Sequence, residues 1–370
     1  MAIGGANVGG SVLKVKMNPP TNLTIKPEDK QLTLKWVDPL DLYAEGQLVA
    51  LWTKTVVVMK QGSYPTSPSD GTVIVTNTVR NQYQTNGYLI TGLTNGVTYY
   101  FSLFGYGSGI KISDPLQGSA KPTLFRKMTL ILTQANSNPD TRCVYADDAL
   151  SMTPKSNEWD SFFGEKPCLF KNGAVVGYLN PNDFTKFEDG TTADITSGNS
   201  GSVMIEYPRR GLNITNDGTK LTISMTENPN DASFSYLAHQ RGAVNKDYFY
   251  LGAYDGYTTA GKLMSLSGYN PTVNQTIGTF RNQAQSNGAG YEQMAFYQLT
   301  FLQAMYCLKY KNTDAQTSVG MGFVGGSAAQ PSGYNNTNGM THGTTSQTVP
   351  MKLFGLENFW GNVFVWIDGM

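Results

Sequence analysis

Few residues in this 370-residue chain have the type and spacing that catalysis demands. Two carboxylate pairs, Asp147-Asp148 and Glu188-Asp189, could cleave a glycosidic bond only if folding set two carboxyls about 5–9 Å apart. Only two histidines occur, His239 and His342, and neither has a serine or cysteine partner nearby in sequence; His239 reads as a core or turn residue. Cys143, Cys168 and Cys307 are an odd number without metal-ligand spacing, so buried, reduced thiols are expected. A Cys143–Cys168 bridge stays open at this point. The run Gly-Met-Gly-Phe-Val-Gly-Gly at 320–326 lacks the Lys-Ser/Thr of a phosphate-binding loop and reads as a glycine-rich turn.

Binding chemistry is better represented. Tyr334, Asn335, Asn336, Asn338 and His342 lie in a stretch, 318–349, rich in Gly, Ser, Thr and Asn. Stacking rings beside neutral hydrogen-bonding groups suit glycans and protein surfaces. A loop this long inside a compact domain is expected to be functional. Charge argues the same way. Lys plus Arg and Asp plus Glu are 27 each, so there is no basic excess to neutralise phosphates, and nucleic acid is not an expected partner. No run reaches the about 18 apolar residues of a membrane span. Met1–Gly10 shows neither a basic nor an apolar signal region, so no secretory signal and no membrane insertion are expected.

The elements that must position these residues are mostly strands. Charged residues are 15% of the chain, below the usual quarter or so, and 40 glycines supply turns. Residues 1–17 read as a flexible arm. Between 18 and 120, Leu32–Trp36, Trp52–Val58, Thr72–Thr76 and Tyr99–Leu103 alternate with period two, separated by Pro, Gly, Asn and Asp clusters, which predicts a β-sandwich. A linker is expected at 121–127. Beyond it, Met128–Leu132, Ala174–Leu179, Val203–Tyr207 and Lys220–Met225 read as strands, with Asn-Gly and Asp-Gly pairs as hairpin turns. Met294, Tyr297, Phe301, Met305 and Leu308 recur at helical steps and predict a helix over 289–310, with a second over 271–285. The end, 350–370, reads as an aromatic strand pair.

Two family resemblances sharpen this outline. Pro-Pro-Thr-Asn-Leu-Thr (19–24), Leu-Thr-Leu-Lys-Trp (32–36) and Leu-Thr-Asn-Gly-Val-Thr-Tyr-Tyr-Phe (93–101) resemble a fibronectin type III domain, which implies that Trp36 packs between sheets and that Tyr99, with Leu93 and Gly96, forms the corner. Gly355–Asp368 is similar to the Asn-x-x-Gly-Asn-Val-Trp-Glu-Trp signature of formylglycine-generating proteins of the C-type lectin fold, with Asn358, Gly361, Asn362, Val363 and Trp366 matching and Trp360 beside them. Segments around Arg142–Ala149, Tyr178–Asp183 and Tyr250–Gly256 look like phage tail-associated proteins of that group, so the resemblance spans 128–370. It implies a calcium ion on Asn358, Gly361 and Val363. Val365 replaces the one anionic ligand, however, and the cysteine pair of the oxidases is missing, so no cofactor is expected.

The expected protein is thus mainly β with some α, a fibronectin type III-like sandwich followed by an α+β lectin-like domain. The function implied is that of a non-enzymatic phage virion protein, made in the bacterial cytoplasm, exposed on the particle and binding a host-surface glycan or protein. Other virion proteins are expected partners, and a closed homo-oligomer such as a trimer would add avidity. The rival expectation is a structural virion part making only protein contacts.

Overall fold

The computed structural model describes residues 16–109 and 111–369; the arm expected at 1–17 lies, apart from Lys16 and Met17, outside the described residues. The chain is mainly β with some α, and it divides into two compact units between Phe125 and Arg126.

In the first unit, strands β1 (Thr21–Glu28), β2 (Gln31–Val37), β3 (Trp52–Gln61), β4 (Thr72–Asn77), β5 (Tyr88–Ile90), β6 (Tyr99–Gly107) and β7 (Leu116–Ala120) make two antiparallel sheets. One has the order β1-β2-β5; the other runs β7-β6-β3-β4, with Lys111–Ile112 pairing onto β6. The alternation of β2 is what the sandwich needs: Leu32, Leu34 and Trp36 are buried and Lys35 is exposed. Strand β3 departs from alternation because it is covered on both faces. Val57 joins the inter-sheet core, while Val56 and Val58 pack with Phe104 in a second cluster. The corner is built as in fibronectin-like sandwiches: the Tyr99 hydroxyl accepts a hydrogen bond from the backbone N–H of Thr94 at 3.1 Å, and Leu93 is buried beside it. The first unit is therefore fibronectin type III-like in its own geometry.

The sandwich also holds a buried polar centre at Asp38, which in the sequence stands only as the Asp of an Asp-Pro turn pair. Asp38 is buried and accepts from Trp36 Nε1 (2.8 Å), Thr55 Oγ1 (2.6 Å), Asn77 Nδ2 (2.8 Å) and Asn81 N (2.7 Å). Four donors from four segments converge on one carboxylate, which thereby ties β2, β3 and β4 to the loop after β4.

The second unit has two further antiparallel sheets. Strands β8 (Lys127–Thr133), β9 (Cys143–Asp147), β14 (Gly211–Asn216) and β15 (Lys220–Thr226) run in the order β9-β8-β15-β14. Strands β10 (Lys166–Lys171), β11 (Ala174–Asn180), β12 (Asp183–Phe187), β13 (Ser202–Pro208) and β16 (Tyr248–Gly252) run β12-β11-β10-β13-β16. The core joins both sheets to a helix through Trp159, Phe162, Tyr207, Phe301 and Phe354. That helix, α3 (Phe296–Tyr310), follows the short α1 (Asp160–Phe163) and α2 (Ile277–Gln285).

Both long helices begin later than their apolar spacing predicts. Thr276 caps α2, its hydroxyl accepting from Thr279 N. Ala295 instead bridges to Asp368 in extended conformation, and its N–H donates to the Gln298 side chain, so α3 starts at 296 and Tyr297 stays exposed. The aromatic strand pair expected at 350–370 is corrected to a two-residue hairpin, β17 (Lys352–Leu353) with β18 (Leu356–Glu357), followed by irregular chain. Gly355, Asn358, Gly361 and Asn362 take φ of 85°, 57°, 88° and 60°, and a strand cannot absorb left-handed residues at that frequency. The three cysteines are free. Cys143 and Cys168 sit in different sheets, which closes the question of a bridge between them.

Candidate functional site

Hairpin β17–β18 supports the Asn-rich loop from beneath. Lys352 and Glu357 lie opposite one another on it, and both are buried. Glu357 accepts the backbone N–H of Gly333 and of Asn335, each at 2.7 Å. Lys352 donates from Nζ to the Asn335 carbonyl at 3.0 Å, and its ammonium sits 3.3 Å from the centre of the Phe184 ring. One turn of chain is thus gripped on its donors by a carboxylate and on its acceptor by an ammonium. Burial pushes the Lys352 amine down to about 7, against the opposing pull of Glu357, and burial raises the Glu357 carboxyl against its backbone hydrogen bonds.

The lysine shift has a stability consequence with a definite sign. Between about 7 and the ordinary lysine value of 10.5, the unfolded chain holds a proton at Lys352 that the folded chain has released. This group therefore adds stability to the second unit as pH rises through that window. Denaturant unfolding at pH 7 and pH 9 should show a gain of about 2 kcal/mol from this residue. Lys352→Met should remove the slope; an unchanged slope in the variant would assign it elsewhere.

The gripped turn presents the expected ligand residues unequally. Tyr334 is 58% exposed and points its ring to solvent. Asn335, expected on the display face, is corrected to a structural residue. It is 0% exposed, its Nδ2 donates to Pro350 O, and its Oδ1 accepts from Asn338. Asn336 also turns inward, accepting from the Tyr254 hydroxyl at 2.5 Å and donating to Ser267 Oγ at 2.9 Å. His342 is half-buried and exchanges backbone hydrogen bonds with Lys352. Composition had marked the loop as polar without telling which amides point out and which satisfy buried backbone.

Asn358 and Asn362 converge on a residue that sequence reasoning had quoted but not singled out. Each donates from Nδ2 to Asp255 Oδ2, at 2.9 and 2.8 Å. Burial raises the Asp255 carboxyl to about 6, opposed by the Asn362 and Asn358 hydrogen bonds. Asn362 also accepts from Gln330 N, tying the start of the loop to the same carboxylate. The calcium ion implied by resemblance does not fit this set. Calcium takes six to eight oxygens. Here two amides present N–H to the Asp255 carboxylate, Asn358 Oδ1 is buried without a hydrogen bond, and Val365 points to solvent. Gly361 and Val363 form a local turn, Val363 N donating to Gly361 O. Among the described residues no group of three or more His, Cys, Asp or Glu could hold a metal.

The remaining marked residues fall as follows. Trp360 is half-buried and donates to Gly320 O, while Trp366 is exposed and donates to Gln275 O. His239 is buried, with Nε2 on Pro208 O, and burial depresses it to about 4. Asp147 and Asp189 are held below the ordinary carboxylate range by hydroxyl hydrogen bonds from Thr129 and Thr191, the reverse of a raised general acid. The Cys307 thiol is pushed up to about 12 by burial, which disfavours the thiolate form at neutral pH. Next to the loop, Gly339 and Thr341 wall a cavity of about 410 Å³ with Asn157, Asp160, Asn182 and Lys309.

No family model matches the chain, and no curated protein matches it. Among solved structures it is similar to the rat CD45 extracellular region, domains d3–d4, at 16% identity over 29% of this chain and 51% of that one, with a TM-score of 0.20. It is also similar to a human fourth fibronectin type III domain, at 20% identity over 32% of this chain and 90% of that one (TM-score 0.21). A titin kinase with its flanking domains matches at 10% identity over 57% of this chain and 37% of that one (TM-score 0.21). The chain thus spans about half the length of the CD45 region it matches. Likenesses at these scores carry nothing about function. Among the described residues no helix is long and apolar enough to cross a membrane.

Proposed function

We propose that this chain is a non-enzymatic phage virion protein, of a tail fibre or tail tip, whose lectin-like second unit binds a receptor on the host cell surface. The observation that supports it best is the turn at 333–338. Tyr334 is held out to solvent by neighbours anchored on buried Glu357 and Lys352. A ring presented on a rigid base loses little freedom on binding, which is how adhesive loops gain affinity. The resemblance of Gly355–Asp368 supports the lectin-like part of the reading, and that of Arg142–Ala149, Tyr178–Asp183 and Tyr250–Gly256 supports the virion part. Binding needs no metal or other cofactor, and the copies assemble as a trimer or another closed homo-oligomer alongside other virion proteins.

The test is adherence of the purified chain to a panel of bacterial strains, with Tyr334→Ala as the variant. An exposed ring of this kind acts as an anchor, so adherence should weaken about tenfold or more while the circular dichroism spectrum stays unchanged. Equal adherence by both proteins removes the turn as the contact. A second reading, a structural virion part, is favoured by one observation: Phe364, Val365 and Trp366 form a consecutive exposed apolar run, and exposed apolar surface marks protein contacts. Failure of the wild-type chain to adhere to any strain, with virion incorporation intact, would select that reading.

A further inference from the structure

We propose that the cavity between Asp160, Lys309, Asn157 and Asn182 is a subsite for a neutral, hydroxyl-rich saccharide; this rests on the adhesion reading above and names the ligand class. The cavity is about 410 Å³, inside the range of about 300–1,000 Å³ usual for small-molecule sites. One of its walls, Gly339 to Thr341, follows directly on the turn that displays Tyr334.

The argument starts from Lys309. It lies on α3, is 5% exposed and is one of the residues that line the cavity, and among the described residues its ammonium has one hydrogen-bond acceptor, Asp160 Oδ1 at 2.6 Å. An ammonium has three N–H donors. Asp160 sits on α1 with its side chain half exposed, so its carboxylate offers acceptor capacity toward the same space. A buried donor and an open acceptor thus stand side by side, fixed by their own ion pair. Two neighbouring hydroxyls of a sugar match that arrangement, one accepting from Lys309 and the other donating to Asp160. Charge-assisted bonds of this type are the stronger class.

The surroundings continue the match. The Asn157 and Asn182 carboxamides make no hydrogen bond to other described residues, and each both donates and accepts, as sugar hydroxyls do. Pro181 and Met340 give apolar surface for the C–H face of a ring. Lys309 and Asp160 cancel in charge, so the site has no excess cation to favour a carboxylated or phosphorylated sugar, and the exposed Asp160 side chain repels one.

Saturation-transfer NMR and calorimetry on the full chain test this, with glucose, galactose, mannose and N-acetylglucosamine as probes and glucuronate as the anionic control. At least one neutral sugar should bind, and glucuronate should bind more weakly than glucose. Asp160→Asn weakens the charge-assisted bond and should reduce affinity about tenfold or more. Because Asp160→Asn also uncovers the buried Lys309, Asn182→Ala is the companion variant; its side chain supports no other part of the fold, and it should weaken binding severalfold with an unchanged unfolding transition. The proposal is overturned if no neutral sugar binds, if glucuronate binds best, or if Asn182→Ala binds as tightly as wild type. Adherence to cells by a chain that binds none of these sugars overturns it while leaving the adhesion reading intact. Sugar binding by a chain that adheres to no cell supports it and counts against that reading.

Discussion

Asp38→Ala is expected to destabilise the first unit by about 3–5 kcal/mol, one of the two largest single-residue effects in the protein. The carboxylate is buried and receives four hydrogen bonds, from the Trp36 indole, the Thr55 hydroxyl, the Asn77 amide and the Asn81 backbone. Alanine leaves those donors unpaired in the space between strands, and each buried donor without an acceptor costs about 1–3 kcal/mol. The sum is less than four full penalties because water can enter the vacated volume and serve some of them. Hydrogen exchange read peptide by peptide is the right measurement, since a two-unit chain does not unfold in one step. Protection should fall across β2, β3, β4 and β6 and stay unchanged in the second unit. A loss under about 1 kcal/mol would mean that the four donors find new partners, and that Asp38 organises less than its contacts suggest.

Glu357→Ala is expected to cost the second unit a similar amount, about 3–5 kcal/mol, because it strips two buried backbone donors of their acceptor and removes the charge that opposes the effect of burial on Lys352. Gly333 N and Asn335 N lose their acceptor, and Lys352 is left buried without the one charge that favours its protonated form. Lys352→Met should cost less, about 1–2 kcal/mol. It strips the donor from Asn335 O but also removes a charge whose burial was unfavourable. The asymmetry is the diagnostic result. Denaturant midpoints should fall in the order wild type, Lys352→Met, Glu357→Ala, and hydrogen exchange at 330–342 should rise most in Glu357→Ala. Equal losses in the two variants would show that the pair acts only through its mutual attraction, with no separate grip on the turn.

What was legible in the sequence is what local pattern encodes. The alternation Leu32, Leu34, Trp36 marked β2, and the spacing Phe301, Met305, Leu308 marked the buried seam of α3. The Leu93–Tyr99 corner was legible too, because its hydrogen bond closes within five residues. Strand β10 was missed: Pro167, Cys168, Leu169 and Phe170 are buried in succession, so no alternation announces it. The end of the chain was misread because its aromatic run looks like a strand, whereas its left-handed Asn and Gly positions forbid one.

The candidate site divides along the same line. The residue types around 330–342 showed by themselves that this stretch is polar and uncharged. Only the tertiary structure decided that Tyr334 faces out, that Asn335 faces in, and that Asp255, Lys352 and Glu357 hold the loop. The physical reason is distance along the chain: Glu357 grips residues 22 and 24 positions earlier, and Asp255 is held by amides 103 and 107 positions later. Periodicity reports on neighbours one turn or one pleat apart. Asp38, read alone, marked only a turn before Pro39, and its partners at 55, 77 and 81 meet only when two sheets close over them. Local spacing therefore determined the strands, the corner and the helical seam, and long-range closure decided which polar residues are structure and which are surface.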